Sequence, residues 1–147
     1  MPKKRSDSEL PLVEFKNYLG LKYITAHVRP DRISEEHGPV FSSERFQKID
    51  KAIATLLLLT PRPIRGQELK VLRKVTGMGI REFATAIGVT HPTVMNWEKA
   101  KNRRLDRAEE AFVRVFFSEK LGVRLEARVE ALSPEHAVQD PIEYTAA

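Results

Sequence analysis

The chain contains no cysteine among its 147 residues. Disulfide bonds, thiolate zinc sites and thiol redox chemistry are therefore excluded. Its four histidines are scattered and show no short spacing of the kind that metal ligands have. No nucleophile–base pair, carboxylate pair or phosphate-binding loop stands out either. We therefore expect no enzyme, no metal site and no cofactor.

Long hydrophobic runs are also lacking. The longest, residues 53–59, is far too short to span a bilayer. The basic first residues are not followed closely by the apolar core of a signal peptide. We therefore expect a soluble cytoplasmic protein with no membrane partner.

Positive charge is concentrated in the middle of the chain. Residues 61–107 hold 11 Lys and Arg against 4 Asp and Glu, a net charge of +7, whereas residues 1–60 carry +2 and residues 108–147 carry −4. A polyanion would suit such a segment, because each neutralised phosphate releases counterions. The plainer alternative is that these side chains only solvate the surface.

The apolar pattern predicts strands first and helices afterwards. One or two strands are expected within residues 12–28, and a helix of about 16 residues should follow a serine cap and end before Pro61. Four more helices are predicted at about residues 64–76, 80–87 and 91–99 and from a cap at Asp106 to Gly122. Residues 123–132 fit either a strand or a helix continuation, and the acidic tail beyond them is expected to be disordered.

These elements suggest four parts. A flexible basic N-terminus covers residues 1–11, and a small α+β region, strands then helix, covers residues 12–60. Thr60-Pro61-Arg62-Pro63 forms a linker to a helical domain at residues 61–122, and residues 123–147 form a C-terminal extension with an acidic tail.

The two short central helices have the spacing of a helix-turn-helix. Ala84 is small enough for the helices to cross closely, and Gly88 tolerates the positive φ of a sharp turn. Thr90 can cap the second helix, whose first turn accommodates Pro92 without losing a hydrogen bond. Val94 can fill the core between the two helices. The alternative is an ordinary helical hairpin that binds no DNA.

Residues 67–117, which include the motif described above, resemble the lambda-repressor/Cro (XRE) helix-turn-helix family. The resemblance implies a mainly α fold: a five-helix lambda-repressor-like helix-turn-helix domain preceded by a small α+β N-terminal region. It also implies a structural salt bridge between Arg73 and Glu98, which would hold the first helix of the domain against the third.

A looser resemblance extends toward the N-terminus. The run from Gly20 through the helix ending at Leu59, and on to the Pro-Arg-Pro-Ile-Arg-Gly-Gln-Glu-Leu-Lys segment, is similar to the layout of MqsA-type antitoxins. In that family a β-rich N-terminal domain precedes an XRE domain that dimerises and binds a palindromic operator. The family holds a structural zinc through cysteines, and this chain has none, so no zinc is expected.

The XRE resemblance also suggests which side chains would touch DNA. Base-reading positions of the family fall on Thr90, His91, Pro92 and Asn96, and Met95 could meet a thymine methyl group. Asn96 is the strongest of these, because its amide can pair bidentately with adenine. Phosphate contacts are expected from six residues of the two helices and the loop that follows: Arg81, Thr93, Lys99, Lys101, Arg103 and Arg104.

Taken together, the sequence predicts a sequence-specific double-stranded DNA-binding repressor, the autoregulating antitoxin of a type II toxin-antitoxin system. It would bind a palindromic operator as a homodimer, with a cognate toxin as a further partner. A protein of this kind is expected at the nucleoid of a bacterial-type cytoplasm. The dimer surface could be the helix carrying Phe112, Val115, Phe116 and Phe117 or the helix carrying Ile49, Ile53 and Leu56. The alternative is a stand-alone or phage-type XRE repressor with no toxin. RNA is disfavoured, because no aromatic platform for base stacking is evident.

Overall fold

The computed structural model describes residues 10–125 and 140–146. They belong to two compact units: one holds the described residues up to Asp50 and those from Asp140 onward, and the other begins at Lys51. Within these ranges no helix has the length and apolarity that crossing a membrane requires.

The described residues form five strands, five α-helices and a short 3-10 helix at Tyr18–Gly20. The strands are β1 (Val13–Lys16), β2 (Ile24–Val28), β3 (Arg32–Ser34), β4 (Gly38–Val40) and β5 (Ile142–Ala146). The helices are α1 (Ser43–Leu59), α2 (Gly66–Val75), α3 (Ile80–Ile87), α4 (His91–Lys99) and α5 (Arg107–Leu121).

The expected mainly α class is wrong, because the described strands form two sheets and make the fold α+β. One sheet has the order β1-β2-β5, with β1 antiparallel and β5 parallel to β2. The other is the β3–β4 hairpin. The helices lie in the predicted places, but the strand content is higher than expected. The β3–β4 hairpin lies beyond the predicted strand range of residues 12–28, and β5 pairs with a segment more than a hundred residues earlier in the chain.

The first unit is organised around β2. Its side chains alternate, so that Ile24, Ala26 and Val28 are buried while the residues between them are half-exposed. Asp31 connects the hairpin to the start of α1, because its carboxylate accepts hydrogen bonds from the backbone N–H of Ser42 and from the Arg45 side chain. Ser42 caps the helix by accepting from the Arg45 N–H at 3.2 Å.

The second unit is helical and has one hydrophobic core. Phe83 of α3 lies at its centre, with its ring centroid 5.3 Å from that of Phe117 and 5.5 Å from that of Phe116. Leu72 of α2 and Val94 of α4 are completely buried in the same cluster. One core therefore holds α2, α3, α4 and α5 together and fixes the positions of α3 and α4.

The boundary between the two units does not lie at the predicted linker, residues 60–63. It lies between Asp50 and Lys51, inside α1. Arg62, Pro63 and Ile64 are buried, and the buried Arg114 guanidinium donates to the Leu58 carbonyl at 2.7 Å and to the Arg62 carbonyl. Prolines that look like a linker in the sequence are thus part of the packed helical unit.

The C-terminal part also differs from expectation. The expected acidic tail includes residues 142–146, yet these form β5, with Ile142 opposite Ile24 and Ala146 opposite Val28. Alternating half-buried and exposed side chains along β5 suit a strand at a sheet face. The expected flexible N-terminus lies largely, and the extension beyond residue 125 partly, outside the described residues.

Candidate nucleic-acid interface

The geometry of α3 and α4 follows from the short turn between Ile87 and His91. Gly88 ends α3 in the left-handed region, with φ of 76°, where residues with a Cβ are strained. The Val89 N–H donates to the Ala84 carbonyl at 3.0 Å, which closes the turn. Ala84 and Val94 are both buried, so the two helices meet through small or branched apolar side chains.

Thr90 begins α4 as its N-cap. Its hydroxyl accepts the backbone N–H of Thr93 at 3.4 Å and lies 2.7 Å from the Thr93 hydroxyl. The two threonine hydroxyls therefore hydrogen-bond to each other. A base or phosphate contact by Thr90 or Thr93 would have to share or replace this hydrogen bond.

The last turn of α4 is fixed by an ion pair. Arg73 Nε and Nη2 donate to the two Glu98 carboxylate oxygens at 2.9 and 2.8 Å, the pairing that the family resemblance implied. Arg73 Nη1 also donates to the Met78 carbonyl at 2.8 Å. One guanidinium thus connects α2, the loop before α3 and α4 through strong, geometrically specific hydrogen bonds.

The outward face of α4 carries the predicted base-reading side chains. Pro92, Asn96 and Lys99 are exposed and follow one another at helical spacing of four and three residues. His91 and Met95 are half-exposed beside that stripe, and Thr90 is exposed at its start. Across the described ranges, the Asn96 side-chain amide has no protein hydrogen-bond partner, which leaves its donors and acceptor available to a ligand.

Four of the six predicted phosphate-binding side chains are exposed. Arg81, on the first turn of α3, is exposed, as are Lys101 and Arg103 in the loop after α4. Lys99, at the end of the helix, belongs both to this set and to the stripe. The charges are therefore available to solvent or to a polyanion.

Arg104 stands apart from the other predicted phosphate ligands. Its Nε lies 3.3 Å from a carboxylate oxygen of Glu110, whose side chain is completely buried. The same Glu110 oxygen accepts the backbone N–H of Ile64 at 3.0 Å, and the other carboxylate oxygen lies 3.6 Å from Arg114 Nε. Arg104 therefore neutralises a buried carboxylate and has a structural role.

Sequence reasoning overlooked the Glu110–Arg114 pair. Both side chains are completely buried on α5 and spaced four residues apart, a common arrangement for a surface ion pair on a helix. Their burial could not be inferred from the spacing. Arg114 satisfies the carbonyls of Leu58 and Arg62, which are far from it in sequence.

Gly66 was overlooked as well. It is the first residue of α2, where a Ser, Thr, Asp or Asn cap would be more usual just before the helix, and that unusual choice was the available signal. The loop after α4 replaces the missing cap. The N–H groups of Gly66 and Gln67 donate to the carbonyls of Arg103 and Lys101 at 3.3 and 3.1 Å.

No protein-family model matches the chain, and no curated protein and no solved structure matches it either.

Proposed function

We propose that this chain is a sequence-specific double-stranded DNA-binding transcriptional regulator, acting as a repressor. The observation that carries the proposal is the two-sided character of α4. Val94 and Glu98 anchor one side in the core and in the ion pair with Arg73, while Pro92, Asn96 and Lys99 project from the other. A rigid helix that presents an unpartnered amide to solvent suits readout in the major groove.

The surrounding charge supports a nucleic acid as the ligand. Arg81 lies on the first turn of α3, and Lys99, Lys101 and Arg103 lie at and beyond the end of α4; all four side chains are exposed. These cations would bind backbone phosphates of the duplex and so fix the position of α4 along the groove. The stripe itself would then carry the sequence preference.

The function is tested by selecting bound duplexes from a random DNA pool with the full chain. We expect one enriched motif, arranged as an inverted repeat with half-sites about 10 base pairs apart, centre to centre, as a two-fold dimer requires. The Asn96→Ala chain run in parallel should enrich a motif that is degenerate at one position of each half-site. A pool that shows no enriched motif after repeated rounds would rule out sequence-specific binding.

We further propose that the regulator is the antitoxin of a toxin-antitoxin pair. The supporting feature is the first compact unit, which has its own sheet and buried core and so has a surface that would be free to bind a protein while the helical unit binds DNA. Co-expression with the product of the adjacent gene should yield a stable complex and relieve growth arrest. If the adjacent product neither co-purifies nor inhibits growth, the stand-alone repressor is the better assignment.

A further inference from the structure

Gly66 lies where a side chain has no room. A Cβ built on it would stand 2.0 Å from the Trp97 carbonyl oxygen and 2.7 Å from the Ala100 carbonyl oxygen. Both atoms belong to the backbone at the end of α4, so no change of rotamer could relieve the overlap. A Cβ at Gly79, by contrast, would meet nothing within 4 Å. The close approach therefore depends on the glycine at position 66.

The same stretch of backbone is held to α2 a second time. Glu98, which lies between the two carbonyls that face Gly66, forms the bidentate ion pair with Arg73. Gly66 and Arg73 stand at two points about two turns apart along α2. The end of α4 is thus held by an attractive contact at Arg73 and kept at close range by the missing side chain at Gly66.

The loop that carries the basic side chains is fixed by the same residue. The Gly66 N–H donates to the Arg103 carbonyl, and the neighbouring Gln67 N–H donates to the Lys101 carbonyl. A displacement of the α4 end at Gly66 would therefore carry the backbone of this loop with it.

We propose that Gly66 is a positioning residue for DNA readout, which sets how closely the last turn of α4 lies on α2 and hence where Asn96 stands relative to the bases. This inference rests on the proposed DNA-binding function. A Cβ at position 66 moves the end of α4 outward, and a bidentate amide–base pair does not survive a misplacement of about an ångström. Phosphate contacts through long, flexible side chains tolerate such a shift much better.

The test compares Gly66→Ala with Ala54→Val, a control that overfills the core from α1 at another completely buried site. The measured quantity is the affinity for the selected operator divided by the affinity for a scrambled duplex of equal length. We expect this ratio to fall about tenfold or more for Gly66→Ala and to change little for Ala54→Val. Because Trp97 is the single tryptophan, its emission should also shift in Gly66→Ala alone.

The possible results for Gly66→Ala separate the positioning role of Gly66 from the proposed DNA-binding function. All chains are compared in trimethylamine N-oxide, an osmolyte that favours the folded state. Its concentration is the one at which the control variant Ala54→Val has the same circular dichroism spectrum as the wild type. If folded Gly66→Ala keeps the wild-type affinity ratio, the inference is overturned and the proposed function stays intact. The same holds if Gly66→Ala remains unfolded in the osmolyte, since the role of Gly66 is then packing alone. If the wild type shows no preference among duplexes, the proposed function fails, and an unshifted Trp97 emission in Gly66→Ala overturns the positioning of α4 independently.

Discussion

Arg73 and Glu98 form a bidentate ion pair in which two parallel hydrogen bonds of 2.9 and 2.8 Å join α2 to α4. Only 9% and 8% of their side-chain surfaces are exposed. Two charges buried this deeply must satisfy each other, since neither can be solvated by water. The pair fixes the end of the helix whose outer face we propose to read DNA.

Glu98→Ala should lower the free energy of unfolding by about 3–5 kcal/mol, because it leaves the Arg73 guanidinium buried without its counter-charge. Urea titration followed by Trp97 emission measures the destabilisation, since the single tryptophan lies on the same helix. Glu119→Ala, at an exposed site on α5, is the matched control and should change stability by less than about 0.5 kcal/mol. Equal stability of the two variants would show that the pair is energetically neutral.

Asn96→Ala should lose discrimination at one base pair of the operator half-site, by about 1–3 kcal/mol. The Asn96 side chain is exposed and has no protein hydrogen bond in the described ranges, so the fold should be unaffected. Binding to operators that carry each of the four bases at every position measures the effect. An identical reduction in affinity for operator and random duplexes would mean that Asn96 reads no base.

Arg103→Ala should weaken binding to all duplexes alike. The exposed Arg103 side chain is expected to neutralise one phosphate, and without it about one counterion fewer is released on binding. The slope of log K against log salt should therefore become shallower by about 0.9 for each subunit, or about 1.8 for the dimer on its inverted repeat. Arg104→Ala provides the contrast, because the Arg104 side chain neutralises the buried Glu110. Its removal should lower the free energy of unfolding more than it changes the salt dependence of DNA binding. An unchanged salt slope in Arg103→Ala would exclude the phosphate contact.

Glu68→Gln should remove a pH dependence of stability. Burial raises the pKa of the Glu68 carboxyl from 4.5 to about 7. The folded chain therefore retains a proton that the unfolded chain has released, and stability falls as the pH rises from about 4.5 to about 7 and is flat above it. Glu68→Gln should match the wild type near pH 4 and exceed its unfolding free energy by about 1–3 kcal/mol at pH 8.

The control for this titration is Glu82→Gln, at an exposed carboxyl on α3. It removes one negative charge that water already solvates, so a pH trend common to both variants belongs to the lost charge and not to the burial of Glu68. If the difference between Glu68→Gln and the wild type does not change from pH 4 to 8 beyond that common trend, burial does not raise the pKa of the Glu68 carboxyl.

Phe112→Glu should separate the proposed dimer into monomers. Of the aromatic residues considered for the dimer surface, Phe117 is completely buried and Phe116 packs edge-on against Phe83. Phe112, by contrast, is 54% exposed and lies one turn from Val115, which is also exposed on α5. Sedimentation at micromolar concentration measures the change, and Ile33→Glu, at another exposed apolar site, should leave the mass unaltered. A variant that sediments as the wild type does would exclude this face.

The helical half of the fold and the orientation of α4 could be predicted from local sequence. Gly88, Thr90 and Asp106 end or begin helices through contacts with residues only a few positions away, and the apolar spacing of α3 and α4 determines which side faces inward. Asn96 could be recognised as outward-facing for the same reason. Such interactions are short in sequence, so the pattern of residues is sufficient to reveal them.

The remaining features required the tertiary structure, because they join residues that are distant in the chain. β5 becomes a strand only by pairing with β2, and together with the β3–β4 hairpin it makes the fold α+β where a mainly α class was expected. The prolines after α1 look like a linker until Arg114 is seen to bind the Leu58 and Arg62 carbonyls. In the sequence Gly66 resembles any other glycine. The structure shows that a Cβ at this position would lie 2.0 Å from the Trp97 carbonyl oxygen of α4. The sequence by itself determined the local elements and which face of α4 is exposed. Long-range packing decided the fold class, the boundary between the two units and the placement of that face. The interactions that fix these three features arise only between segments that folding brings together.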